Sequence, residues 1–232
     1  VGTGWNPVQN SEAFEFFHDY VMAGDMEMHT AGSLKDGQMV WALAKTNESF
    51  ELFNGDVTDN YFLFTNPHQF GKSINIRMTP IRVVCNNTLT LSLSQESDKM
   101  VTVNHRKAFD PDMVKEQMGI AREKMEQYKS MAEFLGNKRY TADNVIQYFN
   151  EVFGAPAKEK ENNVIPFTSR NAKLAYENLD VQPGANFAQG TWWTAFNSVT
   201  NMTDHLQGRE DDSRLVSAWY GRNRKVKLNA LD

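Results

Sequence analysis

Between Lys72 and Lys107 the chain gathers residues suited to binding a phosphate backbone. Lys72, Arg77, Arg82, Arg106 and Lys107 supply cations, and Asn75, Asn86, Asn87, Asn104 and His105 supply hydrogen-bonding groups beside them. Aromatic rings stand close in sequence at Phe62, Phe64 and Phe70. Spaced cations neutralise phosphates and flat rings stack on bases, the two requirements of a groove for single-stranded nucleic acid. On this reading Lys72, Arg77, Arg82, Arg106 and Lys107 contact phosphates, Phe64 and Phe70 stack, and Asn86 and Asn87 add polar contacts. The alternative is that Arg77 and Arg82 pair with acids of the N-terminal third.

Other constellations are thinner. There is no phosphate-binding glycine loop, dinucleotide fingerprint, HExxH or nucleophile elbow. Cys85 is the only cysteine, and His105 is the nearest base for it; without such a partner a thiol in an apolar strand end is inert. Asp204-His205 has the composition of half a catalytic dyad, but neighbours on a helix point about 100° apart. Asp56 with Asp59, and Asp110 with Asp112, are explained by capping and turns as well as by a divalent ion. Glu210-Asp211-Asp212 reads as a solvated loop. Arg222, Arg224, Lys225 and Lys227 form a second basic cluster that suits either phosphate contact or a flexible tail. The expectation is a binding protein without chemical catalysis, metal or cofactor.

The elements that must position these groups follow from periodicity. Ser11 caps a first helix carrying Phe14, Phe17, Tyr20 and Val21, which stops at Gly24. Strands follow at Met39–Ala44, Phe50–Phe53 and Asp59–Thr65, the first entered through the Lys35-Asp36-Gly37 turn. In Ser73–Thr79, Ile74, Ile76 and Met78 alternate with Asn75, Arg77 and Thr79, so the second set points to water or a ligand. Met100–Arg106 repeats that pattern. Short connections make the sheet antiparallel. A long helix opens at Asp110-Pro111 and closes at Gly136, and another is capped by Thr141. The polar stretch Gly154–Pro166 reads as a linker, followed by helices near Ala172–Asn178 and Thr191–Leu206. The fold class is α+β, an antiparallel sheet with helices packed on one side. Residues 1–153 form the core domain, 154–166 the linker and 167–232 a C-terminal helical extension.

Composition agrees with a folded chain: 41% hydrophobic, 12% aromatic and 23% charged, with net charge -5. The charge is uneven. Residues 1–69 hold ten acids against Lys35 and Lys45, a balance of -8, whereas residues 70–107 carry +4. Such asymmetry suits an anionic partner or head-to-tail self-association. A single cysteine, no membrane-length apolar run and the unbasic start VGTGWNPVQN lead to a cytoplasmic expectation with no membrane partner.

Several motifs together resemble a known family. They are Val8-Gln9-Asn10, Ala31-Gly32-Ser33-Leu34, Val40-Trp41-Ala42-Leu43-Ala44 and the run Thr79–Leu89 (TPIRVVCNNTL), with Gly190-Thr191, Trp193, Asn197 and Asp204-His205 further on. They resemble the phage/plasmid-like protein family, a family of unknown function found on phages and plasmids. Asn104-His105-Arg106 and Ser198 depart from its pattern. In outline the strand-then-helix order of 39–135 is also similar to Rad52-like annealing proteins, which form rings and hold DNA in a basic groove. The resemblance implies a protein that binds and anneals single-stranded DNA in recombination or replication, a homo-oligomer with a ring as one form, working in a bacterial host cell. The alternative is an interaction protein that binds a host protein. Within Thr79–Leu89, Ile81, Val83 and Val84 are expected in the core, and Arg82, Asn86 and Asn87 free for a ligand.

Overall fold

The computed structural model describes residues 8–24, 26–53, 55–69, 72, 74–84, 87–88, 101–103, 111–154, 165–207 and 211–231. Among them the chain is α+β, with an antiparallel sheet and seven α-helices. The strands are β1 (Glu27–Leu34), β2 (Met39–Leu52), β3 (Asp56–Pro67), β4 (Ile74–Arg82), β5 (Asn87–Thr88) and β6 (Val101–Val103). Their order is β1-β2-β3-β4-β5, and β6 also pairs with β4. β5 pairs with Ile81 and Arg82 of β4 and β6 with Ile74 to Ile76, so the two short strands share one edge of β4. The β1–β2 hairpin turns through Asp36 and Gly37, both at positive φ, as the right-handed twist of paired strands requires.

The chain falls into two compact units. The first takes Val1–Ser49, Asp59–Pro80 and Thr90–Gln127, and the second Phe50–Thr58, Ile81–Leu89 and Tyr128–Asp232. In the first, α1 (Asn10–Ala23) lays its aromatic stripe on β3. Phe17 stacks on Phe64 with centroids 4.8 Å apart, and Tyr20 meets the Phe62 edge at 5.8 Å. The helix starts two residues earlier than expected: Gln9, not Ser11, is its N-cap, and the Gln9 amide donates to Glu12 Oε2 at 3.2 Å. The two strands expected between Met39 and Phe53 are one continuous strand, β2.

The long helix α2 (Pro111–Gly136) keeps its expected span, with Met125, Tyr128 and Ala132 buried. In the second unit α3 (Ala142–Phe153) is capped by Thr141, whose hydroxyl accepts from the Asn144 amide at 3.3 Å, and it buries Val145 and Phe149. α4 (Arg170–Glu177) is capped by Ser169, and α5 (Trp192–Asn201) continues into a π-helical turn at Met202–Leu206. Then come α6 (Asp211–Tyr220) and α7 (Arg222–Asn229). Both correct the sequence reading, because the acidic run leads into a helix and the basic cluster is helical. Residues 155–164 of the expected linker lie outside the described residues.

Candidate functional site

Strand alternation divides the sheet into two chemically different faces. On β2, Ala42, Ala44 and Thr46 are buried whereas Trp41, Leu43 and Lys45 are half-buried and Asn47 exposed. On β3 the even positions Phe62 and Phe64 meet α1, so Asp59, Tyr61 and Leu63 belong to the opposite face. The Val83 amide donates to Val57 O at 2.8 Å, a pairing that puts odd positions of β4 with odd positions of β3. Within the first unit, Trp41, Lys45, Asp59, Tyr61 and Arg77 therefore share the face turned away from α1.

That face carries flat rings and cations. Trp41 lies directly across from Gly32, where an added Cβ would sit 2.8 Å from the Trp41 ring. Only the bare glycine backbone leaves room for the indole there. Lys45 Nζ donates to Asp59 Oδ2 at 2.6 Å, and the bond holds the Lys45 ammonium above the usual lysine range despite partial burial. The exposed ring of His29, at the irregularity between Met28 and Thr30, meets the Tyr61 ring edge-on at 5.2 Å. Burial raises the Tyr61 hydroxyl pKa, and the Lys45 charge opposes that shift. Arg77 is 7% exposed, and its neighbours Asn75 and Thr79 are also buried. Alternation places these three side chains toward water, but both faces of β4 are covered.

The remaining expected contacts separate. Lys72 is exposed. Phe64 is fully buried and stacked on Phe17, where no base can reach it. Arg106, Lys107, Phe70 and Asn86 lie outside the described residues, as do Cys85 and His105; Asn87 is described only as backbone of β5. Arg82 takes the alternative weighed for it, pairing with an acid of the N-terminal third. In the second unit its Nε donates to Asp56 Oδ1 at 2.5 Å and its Nη2 to Asp56 Oδ2 at 2.8 Å, with the arginine 4% and the aspartate 0% exposed. The Trp193 indole N–H donates to the same Asp56 Oδ2 at 2.8 Å. Pro183 O and Gly184 O accept from Arg82 at 3.3 and 3.0 Å. Gly184 sits at φ 74°, and a Cβ there would meet Arg82 Nη2 at 2.8 Å, so glycine is required on both counts.

This knot inverts the expectation for the signature run. Val83 and Val84, assigned to the core, are 50% and 41% exposed, whereas Arg82, assigned to a ligand, is buried. The strand ends at Arg82, and the two valines form the turn after it. Asp56, the first residue of β3, occupies the guanidinium fork with a bidentate carboxylate.

Asp204 has an equally structural partner. Lys227 Nζ, fully buried on α7, donates to Asp204 Oδ1 at 2.7 Å, and Asn223 Nδ2 donates to Thr203 O at 2.7 Å. His205 is exposed. The missed residues of the odd face, Trp41, Lys45, Tyr61 and His29, have a signal in hindsight: Gly32 and Trp41 both fall in family motifs, but nothing in the sequence pairs them.

Among the described residues no group of three or more His, Cys, Asp or Glu is placed to hold a metal ion, and no helix is long and apolar enough to cross a membrane. No curated protein and no solved structure matches the chain. A family model does match, over residues 1–225, and with nearly the whole sequence covered the chain belongs to the family described as Domain of unknown function (DUF932).

Proposed function

We propose that the protein binds single-stranded DNA across the odd face of the first unit and promotes annealing without chemical catalysis, as a phage- or plasmid-borne homo-oligomer in a bacterial cytoplasm. The observation that carries this reading is Trp41, half-buried against Gly32 and on the same face of β2 as the half-buried Lys45. Bases stack on such a ring whatever their identity, and neighbouring cations neutralise the phosphates. The +4 balance of residues 70–107 supports the same reading. Arg82, Phe64 and Arg77 are withdrawn from the contact set because all three are buried, and Trp41 and Lys45 join Lys72, Arg106 and Lys107 in it.

Salt titration of oligonucleotide binding tests this. Affinity should fall steeply with salt, and Lys72→Ala, Arg106→Ala and Lys107→Ala should each reduce the log–log slope by about 1. Trp41→Ala should weaken binding by about 1–3 kcal/mol. Absence of binding at low salt, or a Trp41→Ala variant that binds like the parent, defeats the proposal.

The alternative, docking of a host protein, draws on the exposed Val83, Val84 and Val181 of the second unit, the last 77% exposed. Co-purification of a host polypeptide that is lost on Val84→Asp, with indifference to DNA, would favour it.

A further inference from the structure

β1 is an open edge of the sheet. The strand order gives it β2 as its only neighbour among the described residues. Thr30 and Gly32 lie on the Trp41 side, opposite Leu43 and Trp41, and Ala31 and Ser33 lie on the other side, opposite Ala42 and Val40. Thr30, Ala31 and Ser33 are exposed and Gly32 is half-buried, so neither side of this stretch is covered.

An uncovered edge offers a row of backbone N–H and C=O groups to another strand, and sheets guard such edges with lysine, proline, a covering helix or a bulge. β1 has one such guard, the irregularity between Met28 and Thr30. Beyond it Thr30 to Leu34 runs in regular register along β2 and contains neither a charge nor a proline. Charges stand only outside that stretch: Glu27 begins the strand, and Lys35 and Asp36 form the turn that follows it.

This arrangement selects the partner. Two β1 strands paired in parallel would set Glu27 against Glu27 and Lys35 against Lys35. Antiparallel pairing brings the Glu27 end of each strand beside the Lys35 end of the other, so unlike charges approach instead. It is also the pairing that a twofold axis produces, an interface in which the same patch serves both copies. An axis perpendicular to the sheet passes beside one residue that meets itself. At Gly32, the midpoint of the regular stretch, Thr30 meets Leu34, Ala31 meets Ser33 and Gly32 meets Gly32. An axis at any other residue runs pairs into the irregularity at His29 or into Lys35 and Asp36, which stand at positive φ.

We propose that two copies of this chain join β1 to β1, antiparallel about Gly32, into one continuous sheet. The axis preserves faces, so both Trp41 rings stand on the same side of the joined sheet. Each is one strand in from the seam, which puts the two β2 strands about 14 Å apart, three strand spacings. At the axis the seam between the rings is two glycines wide, with no side chain to obstruct a ligand passing from one Trp41 to the other.

The pairing rests on the oligomeric part of the reading above and not on its DNA part, so its test runs without nucleic acid. Sedimentation of the full chain should give twice the monomer mass. Ala31→Lys/Ser33→Lys sets lysine against lysine at two places across the seam and should give the monomer mass with the parent's circular dichroism, and the dimer should return in part at about 1 M salt, where the repulsion is screened. Ala31→Lys/Ser33→Glu alters the same exposed positions but sets lysine against glutamate, and should sediment as the dimer. The register is read independently by mixing Ala31→Cys with Ser33→Cys under oxidising conditions, which should cross-link the two variants to each other well beyond either alone. A parent that sediments as a monomer overturns the proposal and leaves the edge to a strand of another protein. A lysine pair that keeps the dimer mass, a lysine–glutamate pair that is monomeric, or a mixture that cross-links no better than its components also overturns it. Failure of the DNA reading shows separately, as a dimer of this register that binds no oligonucleotide.

Discussion

Two arginine–carboxylate pairs of nearly equal length behave as different objects. Arg82 and Asp56 meet at 2.5 Å with side chains 4% and 0% exposed, whereas Arg122 and Glu48 meet at 2.6 Å with 64% and 32% exposed. The first pair is enclosed by Trp193, Pro183 and Gly184, which take up the remaining hydrogen bonds. The second stands at the surface with water on one side. Distance alone therefore says little about role. What separates a structural knot from an exposed pair is whether removing water was compensated by additional partners, since burying charge costs several kcal/mol per ion unless the remaining donors and acceptors are met.

The largest expected effect tests the closed pair. Asp56→Ala strands the buried guanidinium and should cost about 3–5 kcal/mol in denaturant unfolding; a loss below about 1 kcal/mol would erase the contrast. Trp193→Phe keeps most of the ring but removes one hydrogen bond to a charged acceptor, for about 1.5–3 kcal/mol by the same measurement.

A third prediction uses pH. Burial raises the hydroxyl pKa of Tyr148, which donates to Ala230 O at 3.0 Å in the second unit. A raised folded-state pKa means that this contribution is intact below the unfolded tyrosine value of about 10 and is lost as pH climbs above it. Unfolding midpoints should thus fall above about pH 10, less steeply in Tyr148→Phe, which itself should cost about 1 kcal/mol at neutral pH. An unchanged alkaline profile in that variant would count against an enclosed hydroxyl.

The smaller effects belong to the open region. Gly119 lies inside α2 with nothing within 4 Å of the Cβ it lacks, so Gly119→Ala should stabilise by about 0.5–1 kcal/mol, read as a higher thermal midpoint. Arg122→Ala should cost no more than about 1 kcal/mol, a loss that shrinks at high salt. A cost comparable to that of Asp56→Ala would mean that both pairs are structural.

Much of the framework is legible locally. The Phe14, Phe17 and Tyr20 spacing, the Asp110-Pro111 start of α2 and the Thr141 cap depend on residues within a few positions of each other, and each corresponds to an observed helix. The sites are set by distant pairings instead. Trp41 finds room against β1 only because Gly32 stands across from it, and Arg82 turns inward only because Asp56 and Trp193 reach it. Alternation could place Arg82 on a face, but not say whether a carboxylate already occupied that face. Phe64 differs from its expected role for a related reason: an aromatic ring on a strand suits a base and a helix equally, and α1 covers it.

The indole that completes the Asp56 knot lies 137 residues downstream of the carboxylate it binds. At about 5–20 residues per second, a ribosome needs on the order of 10 s to add that stretch. Through that interval the nascent β3–β4 end carries a charged pair still open to water, and the sheet waits in a state less stable than its finished form. Arrival of the Pro183-Gly184 turn and Trp193 then expels the solvent in one late step. A chain that ends short of Trp193 lacks the donor that completes the shell of Asp56.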